Sequence, residues 1–135
     1  FALLFIDADH FKQINDTHGH AIGDEVLHQL ARLIQDNTRA TDFVARYGGE
    51  EFAVLLPEVE EPESPEVVAE KIRAAIAAAI FATVGHVTVS IGIGLAEISD
   101  SNTTALIKRA DQQLYQAKWS GRNRVAPQAR VAERH

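Results

Sequence analysis

Three carboxylates stand where short apolar runs end or begin. Asp7 closes the run FALLFID, and Glu50 and Glu51 follow two glycines in ARYGGEEFAVLLP. Glu is disfavoured in strands, so its position at the start of an apolar run needs a reason. Hard cations such as Mg²⁺ bind carboxylate and carbonyl oxygens and share their other positions with water and substrate phosphates. Asp7 and Glu50 with a backbone carbonyl would form such a partial site; the alternative is a solvent-exposed hairpin tip.

Residues that suit phosphate follow the first strand and recur near the C-terminus. A turn from a strand into a helix presents free backbone N–H groups, here those of His10, Phe11 and Lys12, and the Lys12 ammonium adds positive charge. Lys118 and Arg122 flank the end of the last predicted helix. They are interpreted either as partners of the helix dipole or as a clamp for terminal phosphates.

The elements that must position these groups follow from hydrophobic periodicity. The apolar run FALLFID predicts a strand buried on both faces, and helical spacing predicts helices over residues 11–17, 23–37, 64–82 and 103–118. The segment DFVARYGGEEFAVLLP predicts a hairpin with both glycines in its turn, HVTVSIGIGLAEI a long strand and NRVAP a short one. The order β-α-α-β-β-α-β-α-β predicts an α+β fold with helices packed on a mixed central sheet.

This scaffold makes a specific prediction about the acids. If the strand ending at Asp7 neighbours the strand beginning at Glu50, both carboxylates emerge at one sheet edge. If the strand has already begun at these residues, Glu50 and Glu51 would point to opposite faces, so at most one would share a metal squarely with Asp7. The other would lie at the rim, or bind a second ion if the turn is twisted. Trp119, near the end of the last helix, is predicted to be a packing residue.

Composition narrows the classes of function. A chain of 135 residues is the size of one domain, and its lack of cysteine excludes disulfides and thiolate chemistry. The net charge of −6 argues against general nucleic-acid binding. The longest mainly apolar stretch, AAIAAAIFATV, is well short of the ~20 residues of a membrane span, and no signal peptide is visible.

Four motifs, in order, resemble those of the GGDEF domain, the diguanylate cyclase family. They are FIDADHFKQINDTHGHAIGDEVL, RYGGEEF in the GGEEF variant, VSIGIG and KRADQQLYQAKWSGRNRV, spread over residues 1–126. The resemblance implies a fold like the palm of nucleotidyl cyclases. The family's upstream DxLTGLxNR segment is missing, so residues 1–127 are expected to be an N-terminally truncated domain and residues 128–135 a disordered tail.

The resemblance also implies a reaction and its residues. Family members condense two GTP into cyclic di-GMP and release two pyrophosphates. Asp7, Ala8 and Glu50 would hold Mg²⁺ or Mn²⁺, and Glu50, Glu51 and Lys12 would serve catalysis. Asn15 and Asp24 match the guanine readers, although Asp24 also fits a plain helix N-cap. The residues expected to bind GTP are His10, Phe11, Lys12, Asn15, Asp24, Gly48, Gly49, Lys118 and Arg122.

Regulation and partners follow from the same resemblance. RATD matches the family's RxxD inhibitory site, so Arg39, Asp42 and Lys71 are expected to bind the product cyclic di-GMP. Turnover would need a homodimer, and the parent protein would carry an N-terminal sensory or receiver domain. The domain is expected in the cytoplasm, without contacts to nucleic acid or membrane. The alternative functions are a cyclic di-GMP receptor and a regulatory GTP-binding module without turnover.

Overall fold

The structure, a computed structural model, describes residues 1–57, 64–97 and 102–127. Within those ranges the chain forms five strands and four helices in the predicted order. They are β1 Ala2–Ala8, α1 Phe11–His18, α2 His20–Asp36, β2 Phe43–Arg46, β3 Glu51–Leu56, α3 Pro65–Ala78, β4 Val89–Leu95, α4 Thr103–Trp119 and β5 Arg124–Ala126. The α+β class and the mixed sheet flanked by helices are therefore confirmed.

The five strands form one sheet in the order β2-β3-β1-β4-β5. The central strand β1 pairs antiparallel with β3 on one side and with β4 on the other, and β5 runs parallel to β4. All but one residue of β1 is buried. A near-continuous apolar run suits this central position, because both of its faces are covered.

One face of the sheet carries the main core. Leu4 and Ile6 of β1 are fully buried in a cluster with Leu30 of α2 and with Ile72 and Ile76 of α3. The helical spacing of these apolar residues buries one side of each helix against the alternate residues of the strands. The Ser64 side chain caps α3 by accepting a hydrogen bond from the Val67 N–H, with Pro65 at the first helical position.

The other face is covered by α4, which packs very close to β4. A Cβ added at Gly92 would lie 2.1 Å from the Leu114 nitrogen, and one added at Gly94 would lie 2.8 Å from the Ala110 nitrogen. Phe5 of β1 packs with Ala110 and Leu114 in a second buried cluster. The glycines of VSIGIG therefore let the backbone of α4 rest on the strand, which fixes where the helix ends.

Several predicted bounds were wrong. Helix α3 ends at Ala78 rather than residue 82, and Ile80, which lies within the predicted helix, is 68% exposed. The chain leaves the helix because Phe81, buried to 1% exposure, forms a bridge with Gly85 through a turn containing Thr83 at φ 74°. Helix α2 begins at His20 rather than residue 23, and β4 is shorter than the predicted strand.

Trp119 is a further correction. Its side chain is 77% exposed and stacks on Tyr115, one turn earlier on α4, with ring centroids 6.2 Å apart. The inward positions of α4 are Leu106, Ala110, Leu114 and Ala117, and Trp119 falls outside that stripe. The predicted tail at 128–135 lies outside the described residues. Among the described helices, none is both long and apolar enough to cross a membrane.

Candidate active site

Asp7 and the two glutamates of the hairpin lie at the same edge of the sheet. Asp7 is the antiparallel partner of Glu51, so these two side chains share a face. Glu50 precedes β3, and its carbonyl accepts a hydrogen bond from the Ala8 N–H at 3.3 Å. Strand alternation does not govern Glu50, because it lies in the hairpin loop. The prediction that at most one of the two glutamates would share a metal squarely with Asp7 stays a prediction, and the charge of Asp7 contributes to the raised pKa of both.

The hairpin loop has four residues, 47–50, between β2 and β3. It is closed by a 2.7 Å hydrogen bond from the Tyr47 N–H to the Glu51 carbonyl, and the Arg46 guanidinium donates to the Gly49 carbonyl at 2.7 Å. Gly48 has φ 88° and needs the freedom of glycine, whereas Gly49 does not have positive φ. An added Cβ at Gly49 would meet nothing within 4 Å, so open space for a ligand lies over this residue.

The Lys118 ammonium lies against the Asp7 carboxylate. Asp7 is nearly fully buried, with its side chain 4% exposed, and Lys118 is 35% exposed. Burial, together with the neighbouring Asp7 carboxyl, raises the pKa of Glu50 to about 7, and Lys118 opposes this shift. Burial and the charge of Asp7 also raise the pKa of Glu51. The acids at this edge of the sheet thus bring together more negative charge than the single Lys118 ammonium balances.

A cavity of about 140 Å³ opens at this edge, and it collects eight of the predicted site residues. Its lining is Asp7, Ala8, Asp9, His10, Phe11, Lys12, Glu50, Lys118 and Arg122. His10 is the N-cap of α1 with left-handed φ 57°, which turns the chain sharply from β1 into the helix. The Lys12 ammonium lies at the rim, 87% exposed and 3.1 Å from Asp16. An exposed pair of this kind is weak, so Lys12 is free to exchange partners.

The donor set fits a divalent cation. Asp7 Oδ1 is buried and has no hydrogen-bond partner among the described residues, and a lone buried carboxylate oxygen is costly unless something pairs with it. The described residues contain no cluster of three or more His, Cys, Asp and Glu arranged to hold a metal. Asp7, Glu50 and the Ala8 carbonyl would therefore make a partial site that water and substrate oxygens complete, as Mg²⁺ prefers.

The two expected guanine readers lie outside that cavity lining, at the junction of α1 and α2. Asn15 Oδ1 is buried without a partner among the described residues. A Cβ on Gly23 would approach this oxygen to 1.8 Å, so Gly23 makes room for the amide. Asp24 follows Gly23 and is exposed. The N-cap alternative for Asp24 was wrong, because Gly19 caps α2 and Asp24 lies inside the helix.

The expected inhibitory site forms a closed ion pair. Asp42 Oδ2 accepts from the Arg39 backbone N–H at 2.8 Å and from its Nε at 3.2 Å, while Oδ1 accepts from Nη2 at 3.0 Å. The Asp42 side chain is fully buried, and that of Arg39 is 28% exposed. Asp42 therefore orients Arg39, and it can accept from a guanine edge only if the pair rearranges. Lys71 is an exposed residue of α3.

Sequence reasoning missed Asp9. Its carboxylate is 5% exposed and accepts from the Thr88 hydroxyl at 2.7 Å, the Ser90 hydroxyl at 2.7 Å and the Asn123 backbone N–H at 3.0 Å. The signal was an acid directly after a buried strand, because such a residue needs several donors. Its partners are remote in sequence, so spacing could not name them.

Comparisons with known proteins agree with this geometry. The profile described as "Diguanylate cyclase, GGDEF domain" matches residues 1–124. Response regulator PleD of Caulobacter vibrioides is 46% identical over 132 residues, 93% of this chain and 29% of PleD. Diguanylate cyclase DgcM of Escherichia coli K12 is 46% identical over 125 residues, 93% of this chain and 30% of DgcM. The chain thus spans about three-tenths of the length of these curated relatives.

Solved structures give the same answer. The active GGEEF domain of a diguanylate cyclase from Vibrio cholerae superposes with a TM-score of 0.84 at 39% identity, covering 92% of this chain and 80% of that one. The GGDEF domain of DgcB from Caulobacter crescentus, in complex with c-di-GMP, gives 0.85 at 36% identity, covering 92% and 75%. The chain therefore belongs to the GGDEF domain family of diguanylate cyclases, in the variant whose signature reads GGEEF.

Proposed function

We propose that this domain is a diguanylate cyclase that condenses two GTP into cyclic di-GMP and two pyrophosphates. In each of two steps, a 3′-oxygen forms a bond to an α-phosphorus, the bond to pyrophosphate breaks, and the hydroxyl proton leaves. The observation that carries the proposal is the convergence of Asp7, Glu50 and Lys118 on a cavity that Lys12 and Arg122 also line. Acids for a metal and cations for phosphates meet there across a sheet edge.

The side chains of the site bind different parts of the nucleotide, according to their charge and position. Lys12 at the rim and Arg122 in the lining supply positive charge for the phosphates, and the backbone around His10 and Phe11 supplies N–H groups. Gly49 leaves space for the nucleotide over the loop, and Gly48 makes the turn through its positive φ. Asn15 and Asp24 bind the guanine, because a carboxylate accepts from N1–H and N2–H₂ of guanine, and adenine lacks this donor pair.

Asp7, Glu50 and the Ala8 carbonyl would hold Mg²⁺ or Mn²⁺. When bound, the cation lowers the pKa of the attacking hydroxyl and offsets charge on the α-phosphate and the leaving group. Glu50 holds its proton up to a pH of about 7 in the metal-free site, since burial and Asp7 raise its pKa. Glu50 is also the candidate acceptor of the hydroxyl proton, with Glu51 as the second acid at the edge. Lys118, which lies against Asp7 in the metal-free site, would be available to the phosphates once Asp7 is neutralised by a bound cation.

Two copies of the domain must meet for turnover, because the product joins two nucleotides and each copy offers one set of site residues. This proposal also includes a homodimer, a sensory or receiver domain on the N-terminal side and a cytoplasmic location.

A direct assay tests the proposal. The purified full-length protein, incubated with GTP and Mg²⁺, should yield cyclic di-GMP and two equivalents of pyrophosphate. Glu50→Gln should reduce turnover by at least about 10²-fold, because it removes one of the converging charges. The melting temperature of this variant should stay near that of the wild type. Gln113→Glu, a change of similar size on α4, is the control and should keep wild-type turnover. Absence of product from a protein shown to be dimeric would refute cyclase activity.

A second function, binding of cyclic di-GMP, is favoured by the oriented pair of Arg39 and Asp42. A guanidinium held by a buried carboxylate loses little conformational freedom on binding, and it matches a phosphate or a guanine edge bidentately. Lys71 would add a cation without this fork geometry. Arg39→Ala should weaken cyclic di-GMP binding about tenfold or more in calorimetry and leave initial turnover unchanged. Equal affinity in variant and wild type would remove the site.

A further inference from the structure

The loop that follows α4 is strained. Helix α4 ends in a Schellman motif: the Arg122 N–H bonds to the Ala117 carbonyl at 3.0 Å, and the Gly121 N–H bonds to the Lys118 carbonyl at 3.3 Å. Beyond it, Arg122 has φ 65° and Asn123 has φ 47°. Two consecutive non-glycine residues in the left-handed region are unfavourable, and they persist only where surrounding contacts enforce them.

Two anchors from distant parts of the chain provide those contacts. The buried Asp9 carboxylate, at the end of β1, accepts from the Asn123 backbone N–H at 3.0 Å. On the opposite side, Arg73 Nη1 of α3 donates to Asn123 Oδ1 at 2.7 Å. Glu70 holds the same guanidinium through bonds of 2.8 and 2.6 Å, so Arg73 is itself oriented. Asn123 is thus held by hydrogen bonds through both its backbone N–H and its side chain.

The consequence concerns Arg122, the neighbour of Asn123. Arg122 lines the cavity together with Asp9, although its own backbone is bound to α4 and to Arg124 Nε at 3.0 Å. An exposed arginine on an unsupported loop would lose much conformational freedom on binding a phosphate. An arginine on a loop that is already fixed loses less.

We propose that Asp9, Asn123 and Arg73 are positioning residues that hold the loop carrying Arg122 over the cavity for binding of the terminal phosphates of the nucleoside triphosphate. This rests on the proposed function, because it takes Arg122 as a phosphate ligand. None of the three residues needs to touch the substrate. Arg73 acts from α3 through Asn123, so its loss should be felt only while Arg122 is present.

A double-mutant cycle in the purified full-length protein tests the proposal. The measured quantity is the affinity for a GTP analogue with a methylene bridge between the α- and β-phosphorus. Arg73→Ala should weaken binding about tenfold, the effect of losing one charged hydrogen bond. In an Arg122→Ala background the same change should have an effect below about twofold, because Arg73 then has nothing to position. An equal loss in both backgrounds, or no loss in either, would overturn the proposal.

Variants of Asn123 keep the test decisive if Arg73→Ala folds poorly. Asn123→Asp keeps the acceptor for Arg73 and should retain near wild-type affinity. Asn123→Gly keeps the backbone conformation but lacks the acceptor, so it should reproduce the tenfold loss. Arg109→Ala is the matched control, since Arg109 is an arginine on α4 that bonds to the Leu95 carbonyl at the far end of the sheet. Equal affinities for the two Asn123 variants would contradict the inference.

The proposed function is decided separately, by the assay for cyclic di-GMP. If Arg122→Ala alone leaves the affinity for the analogue unchanged, Arg122 is not a phosphate ligand and the positioning role falls with it, while cyclase activity still depends on that assay. If Arg122→Ala weakens binding while Arg73→Ala and Asn123→Gly do not, the phosphate role stands and only the positioning role is lost.

Discussion

The ammonium of Lys118, in the last turn of α4, lies against the carboxylate of Asp7 at the end of β1. The helix is held on the sheet by Gly92 and Gly94, so this contact is set by packing along the whole of α4. The charge of Lys118 also opposes the rise in the pKa values of Glu50 and Glu51 that burial and Asp7 cause. The single positive charge of Lys118 thus partly balances the negative charge of a site whose oxygen atoms suit a divalent cation.

We expect Lys118→Met to destabilise the metal-free protein at pH 7 by about 1–3 kcal/mol, because it leaves the buried Asp7 charge without a partner. Mg²⁺ should restore more stability to this variant than to the wild type, since the cation then binds without displacing an ammonium. Urea unfolding with and without Mg²⁺ measures both effects. Equal Mg²⁺ responses of the two proteins would contradict the interpretation.

The raised pKa of Glu50 predicts a pH dependence of stability without metal. Folded Glu50 keeps its proton up to a pH of about 7, whereas the unfolded chain releases it near 4.5. Between these values the folded state binds more protons, so this carboxyl makes the free energy of unfolding fall as pH rises from 4.5 to 7. The difference between wild type and Glu50→Gln, measured in urea with a chelator, isolates the contribution. A difference that is flat across this range would be inconsistent with the pKa.

Gly92→Ala should be strongly destabilising. The new Cβ would lie 2.1 Å from the Leu114 nitrogen and 2.4 Å from the Ala110 carbonyl oxygen, and neither backbone atom can move without shifting α4. We expect a cost of about 3 kcal/mol or more and loss of turnover, because Lys118 and Arg122 move with the helix. Thermal unfolding measures the cost. Gly49→Ala is the control for stability, since its Cβ meets nothing within 4 Å, and a similar loss there would undermine the packing argument.

Gly23→Ala should separate nucleotide binding from folding. The added methyl would lie 1.8 Å from Asn15 Oδ1 and 3.2 Å from Phe11 Cζ, so the short amide side chain must rotate away. We expect GTP affinity to fall about tenfold, with a stability change below about 1 kcal/mol because alanine favours a helix. Competition of GTP and ATP measures the loss of guanine preference. Ala21→Gly, at an exposed position of α2, serves as the matched control, and unchanged GTP affinity in Gly23→Ala would count against Asn15 as a guanine reader.

Much of the fold could be predicted because its signals are local. Apolar spacing specified the four helices and their order among the strands, and Ser64 with Pro65 specified the start of α3. The end of α3 was missed because the helical pattern continues to Ile80, while the core instead takes Phe81. The two glycines predicted a turn correctly, but only Gly48 uses positive φ, since the loop is four residues long and Glu50 belongs to it.

The sequence by itself determined which chemistry is available: carboxylates at the end of β1 and in the hairpin, cations at the end of α4 and just beyond it, and motifs that identify the family. Only the tertiary structure decided which groups meet. Lys118 reaches Asp7, Asp9 accepts from Asn123 across 114 positions, and Arg73 reaches Asn123 across 50. The register of the strands and the close packing of α4 against two glycines of β4 bring these groups into contact. Such contacts arise from packing between elements, and residue spacing along the chain carries no record of them.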